Sequence, residues 1–105
     1  MSLLKELFPE LVAEIRALLH AEGSDELISS LETATVADKC RCGDDFCSSI
    51  RTAPKPNGPY GPGHHTMVLG PERGMINLDI VNGRIVYIEV IDRPDIHEMV
   101  HNRIH

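Results

Sequence analysis

The sequence predicts an α+β fold, an antiparallel sheet of about four or five strands with N-terminal helices and a C-terminal helix packed on it. Three observations carry that prediction. Apolar residues recur with helical period from Leu3 to Leu19, and they recur at every second position on either side of Asn82-Gly83. The strand-like runs are also grouped between helical stretches instead of alternating with them. A chain of 105 residues is the size of one domain, so 1–105 is read as a single unit with one modest core.

Leu3, Leu4, Leu7, Phe8, Leu11, Val12, Ile15, Leu18 and Leu19 form the stripe of an amphipathic helix over 3–22, with Ser2 as N-cap and Gly23 as its stop. Pro9 lacks the N–H that a helix interior needs. Either a short turn precedes a helix starting there, or one helix bends. Ser24-Asp25-Glu26 reads as a second start, because a serine oxygen and acidic side chains suit the free N–H groups of a first turn. Leu27, Ile28 and Leu31 give this helix, 25–32, its apolar face. From Thr33 to Thr52 the residues turn to Thr, Val, Ile and Cys around a break at Gly43-Asp44-Asp45, which predicts a β-hairpin over 33–52. Residues 53–63 (APKPNGPYGPG) hold too much Pro and Gly for a helix or central strand and form a long loop, a kind that often carries function. A strand over 65–69 follows.

Residues 75–81 and 84–91 form the clearest hairpin, with Asn82-Gly83 at its turn. A two-residue turn would set Ile80 opposite Ile85 and Ile76 opposite Glu89, burying a carboxylate beside isoleucine. A three-residue loop, Val81-Asn82-Gly83, keeps Ile76, Leu78, Ile80, Val86, Ile88 and Val90 on one apolar face, and is the register expected. After Arg93-Pro94, residues 95–104 form a last helix with Ile96, Met99, Val100 and Ile104 inward. The stretch from Gly74-Met75-Ile76-Asn77-Leu78-Asp79-Ile80 through Gly83-Arg84-Ile85-Val86-Tyr87-Ile88-Glu89-Val90-Ile91-Asp92 resembles the terminal hairpin of an uncharacterised family of short bacterial β-rich domains. That family has no assigned activity, so the resemblance implies a fold element and no site residue.

The net charge of −6, with basic residues scattered along the chain, argues against a nucleic-acid surface and against an anionic membrane. No apolar run is long enough to span a bilayer. Met1 to Glu6 lacks the apolar core of a secretory signal, and three clustered cysteines are unlike a dispersed disulfide framework. The expected compartment is the reducing cytoplasm.

Two groups of residues carry candidate chemistry. Cys40 and Cys42 are two apart and share one face of a strand, while a Gly43-Asp44-Asp45-Phe46 loop would set Cys47 opposite Cys42. Three thiolates could then converge on a zinc ion, with His64 or His65 as fourth ligand. The competing reading is buried thiols, since free cysteine is among the most buried residue types. A Cys42–Cys47 disulfide also fits the spacing. Asp44 and Asp45 beside the sulfurs disfavour a reactive thiolate.

The second group is His97-Glu98-Met99-Val100-His101, which matches the H-E-x-x-H helix of zinc proteases, with His105 continuing the same stripe just past the helix. At about 100° per residue, His97 flanks the apolar face while His101, Glu98 and His105 turn toward water. A protease needs its histidines in a cleft, so a solvated face is the competing reading.

These features favour a small acidic, non-enzymatic binding domain for a protein partner, with a structural zinc on the cysteine hairpin. The alternatives are a minimal zinc hydrolase with Glu98 as its base, and a homo-oligomer joined through the leucine stripe.

Overall fold

A computed structural model describes residues 2–105, among which lie four helices and five strands. They are α1 (Leu4–Leu7), α2 (Pro9–Ala21), α3 (Glu26–Thr33), β1 (Asp38–Lys39), β2 (Ile50–Arg51), β3 (His64–Leu69), β4 (Met75–Val81), β5 (Arg84–Ile91) and α4 (Pro94–Arg103). The strands form one antiparallel sheet in the order β1-β2-β5-β4-β3. This is the α+β architecture that the sequence predicts. No helix among the described residues is long and apolar enough to cross a membrane.

Pro9 divides the first stripe into two helices. Phe8 leaves helical geometry (φ −132°, ψ 60°) and Pro9 opens α2, where its missing N–H costs nothing. The stripe stays in phase across the break, so Leu4, Phe8, Leu11, Val12, Ile15 and Leu19 are all buried. They join Leu27 and Leu31 of α3, Ile96 and Val100 of α4, and the sheet's inner face in one core. That corrects the expectation of self-association through the leucine stripe, because its apolar face is occupied within the chain. Gly23 ends α2 in the left-handed region (φ +73°), with its N–H on the His20 carbonyl and that of Ser24 on Leu19. Ser24 is not the cap of α3. Asp25 holds that position, and its carboxylate meets His20 Nδ1 at 2.9 Å instead of capping.

The β4–β5 hairpin corrects the expected register. Asn82 (φ +51°) and Gly83 (φ +79°) form a two-residue turn, pairing Val81 with Arg84 and Ile80 with Ile85. A bulge then shifts the pairing between Ile80 and Asp79, leaving Val86 as the extra residue. Beyond it Leu78 faces Ile88, Ile76 faces Val90, and Asn77 faces Glu89. The carboxylate buried by a plain two-residue turn is thus avoided, and Asn77 Nδ2 donates to Glu89 Oε1 at 2.8 Å. Ile85 replaces Val86 in the core. Thr52 satisfies the disrupted ladder, donating its N–H to the Val86 carbonyl (3.1 Å) and its hydroxyl to the Ile85 carbonyl (2.7 Å).

The opposite sheet face is polar, with Arg51, Tyr87, Asp79 and Thr66 in one row across β2, β5, β4 and β3. The Pro/Gly loop is fastened to this face through Tyr60. Its hydroxyl accepts from Arg51 Nη1 at 3.3 Å and its ring stacks on His64 with centroids 4.6 Å apart.

Candidate metal centre

The predicted 33–52 hairpin is regular only where Asp38 pairs with Arg51 and Lys39 with Ile50. Beyond that, Cys40 N–H donates to the Ser49 carbonyl at 2.9 Å, and the loop that follows carries Cys42 and Cys47. Gly43, at φ +80°, and a Cys47 N–H bond to the Asp44 carbonyl close the loop. As the spacing predicts, the three sulfurs converge: all lie within 4.8 Å of one another. All three cysteines are free in the structure. Three cysteines this close can hold a metal ion.

The loop is also tied to the end of β5. Cys47 bridges to Ile91, Ser48 N–H reaches the Val90 carbonyl (2.8 Å), and Asp92 N–H reaches the Phe46 carbonyl (2.9 Å). Asp92 then turns the chain at φ +58° and α4 begins at Pro94. The first turns of α4 must therefore lie beside Cys47. His97 Nδ1 stands 3.3 Å from the Cys47 carbonyl, and the His97 and His101 rings meet edge to face at 4.2 Å. Both histidines line a cavity of about 250 Å³ with Cys40, Cys42, Cys47 and Asp44. The sequence presents the cysteine loop and the H-E-x-x-H helix as rival sites; the fold places them on one cavity.

The other candidate residues lie elsewhere. His64 and His65 are on β3, the far edge strand, with β5 and β4 between it and β2. At about 4.8 Å per strand that is roughly 14 Å across the sheet. His64 instead bonds Asp79 Oδ1 at 2.9 Å, and Thr66 donates to the same oxygen at 2.7 Å. This corrects their expected place beside the cysteines. Glu98 is exposed and does not line the cavity. His105 is exposed too, and contributes its carbonyl to Arg41 Nη2 at 3.0 Å.

Two supporting residues carry no local sequence signal. Ser49 Oγ accepts from the Cys47 thiol at 3.4 Å and from the Val90 N–H at 3.0 Å, which ties that sulfur to the sheet. The Tyr87 hydroxyl lies beside Cys40. Burial, above all, pushes that phenol well above its ordinary value, and the Cys40 sulfur adds to the effect, so Tyr87 stays a donor. Burial would raise the Cys40 thiol as well, but hydrogen bonds from Tyr87, the Cys42 backbone and the neighbouring thiols bring it below its usual value. At Cys42 the Asp44 backbone N–H works downward, yet Cys40 and Cys47 beside it push the thiol up to about 11. Three sulfurs at this spacing resist losing all their protons unless a cation compensates the charge.

Comparison with known protein families, with curated proteins and with solved structures gives no match.

Proposed function

We propose that the chain is a small, non-catalytic binding domain whose cysteine loop is stapled by one zinc ion, held by Cys40, Cys42, Cys47 and His97. The convergence of three thiols on a cavity that His97 also lines carries this reading. Zinc suits the donors because it takes mixed sulfur and nitrogen ligands in a tetrahedron without redox chemistry. Between the two histidines, His97 is favoured by its hydrogen bond. Nδ1 toward a backbone carbonyl fixes the tautomer and leaves Nε2 for metal. Tyr87 and Ser49 would orient the sulfurs from outside.

Three sulfurs and one nitrogen close the tetrahedron, which supports a structural ion over a catalytic one. The loop also has reason to need one, since strands of two residues hold it to the sheet. Zinc there would pin the loop to α4. The overall acidity supports a basic protein partner, with complementarity setting encounter rate and choice.

A hydrolase reading draws on His97 and His101 sharing the cavity, but Glu98 faces away from it. Elemental analysis of protein purified without metal-affinity resin separates the two. One zinc per chain, lost in Cys40→Ser together with thermal stability, is the expected result. Zinc kept in Cys40→Ser but lost in His101→Ala would favour the hydrolase, and absence of any metal would refute both.

A further inference from the structure

Four of the ten basic residues, Lys39, Arg41, Arg51 and Lys55, line a single cleft of about 590 Å³ that contains one carboxylate, Asp38. In the sequence these cations are dispersed through seventeen positions of an acidic chain. The β1–β2 edge and the start of the Pro/Gly loop bring them to one cleft, Arg51 from the polar face of the sheet and Lys39 from the side of Ile50 and Ile104. We infer that this cleft is a binding site for a small organic oxyanion, a molecule bearing a phosphoryl group or clustered carboxylates.

Three of the four cations are held by partners within the chain. The Arg51 guanidinium lies 4.2 Å over the Tyr87 ring and gives one N–H to Tyr60. Arg41 is oriented by Asp38, through Nη2 at 2.8 Å and Nε at 3.1 Å. Lys39 Nζ donates to the Ile104 carbonyl at 3.1 Å and keeps two further protons. Lys55 enters from the loop. Arg51 has further N–H groups for the oxygens of phosphate or carboxylate, Arg41 has only its Nη1 because Asp38 and the His105 carbonyl take its Nε and Nη2, and two ammonium groups add charge without demanding geometry.

Size and charge select a small molecule. The cleft falls within the range of about 300–1,000 Å³ typical of small-molecule sites. A long polyanion would also meet the acidic remainder of a chain with net charge −6, which repels it. The inference is independent of metal in the neighbouring cavity, although Cys40 and Cys42 border both.

The test is an NMR titration of the full chain at low salt with inorganic phosphate and, separately, tricarballylate. Saturable shifts confined to the amides of Asp38–Arg41, Arg51 and Lys55 are expected. Lys55→Glu should weaken binding about tenfold, since it reverses one of four charges at the anion. Asp38→Asn should tighten it about threefold by freeing Arg41 and removing the competing carboxylate. Saturation by phosphate alone would identify a phosphoryl ligand, and saturation by tricarballylate alone a polycarboxylate. Shifts that stay linear to about 50 mM, or that spread over every Lys and Arg alike, would overturn the inference, as would equal affinities in wild type, Lys55→Glu and Asp38→Asn.

Discussion

Replacing Arg93 by alanine tests how α4 is held where His97 can reach the cysteine loop. Arg93 is only 5% exposed and stands at the junction of β5 and α4. Its Nη1 and Nη2 donate to both Glu14 oxygens on α2 at 2.7 and 2.8 Å, while Nε and Nη2 donate to Asp95 at 3.1 and 3.0 Å. Removing one partner of a buried ion pair costs about 3–5 kcal/mol, because the other charge is left uncompensated. Glu14 and Asp95 are 30% and 35% exposed, so water recovers part of that, and about 3 kcal/mol is the expected loss. At about 2.1 cal/mol/K per residue, a domain of this length should melt about 10–15 °C lower. Urea unfolding followed by circular dichroism measures the difference. A double-mutant cycle with Glu14→Gln should be strongly non-additive. Asp95 supplies a pH signature. Arg93 holds its carboxyl below the ordinary value of 3.8, so the contribution is complete above that value and is lost as pH falls through the lower folded one. Arg93→Ala should therefore lose less stability on acidification than wild type. A change under about 0.5 kcal/mol, with additive double mutants, would refute the reasoning.

Gly74 sits at φ +68°, and a β-carbon there would clash with the Ile91 carbonyl; Gly74→Ala should cost at least about 2 kcal/mol by urea unfolding, against about 1 kcal/mol for Gly83→Ala, where the space is open. Tyr87→Phe should leave the fold intact but weaken zinc affinity about tenfold in a chelator competition, because the hydroxyl beside Cys40 is gone; unchanged affinity would remove Tyr87 from the site. Thr52→Val should cost about 1–2 kcal/mol through the buried Ile85 carbonyl it abandons, with the loss appearing as faster amide exchange around the Val86 bulge.

The parts of this molecule legible in its sequence are those that local periodicity specifies. The stripe from Leu4 to Leu19, the strands 75–81 and 84–91, and the inward face of α4 all appear as read, since each follows from side chains a few positions apart. The bulge at Val86 was not legible, because what stabilises it is Thr52, more than thirty positions earlier. The nearness of Cys42 and Cys47 followed from loop length, a local quantity. The proposed fourth ligand did not. His97 reaches Cys47 because β2 pairs with β5 and α4 leaves the same end of β5, and no window of sequence encodes that pairing. The basic cleft was hidden for the same reason. Lys39, Arg41, Arg51 and Lys55 are diluted along the chain and become a cluster only when β1 and β2 pair.

X-ray absorption at the zinc edge, on protein loaded with one equivalent of the metal, examines the proposed centre atom by atom. The account predicts three sulfur scatterers at about 2.3 Å and one imidazole nitrogen at about 2.0–2.1 Å, with the nitrogen lost in His97→Ala. A shell of nitrogen and oxygen alone, or fewer than three sulfurs, would contradict it.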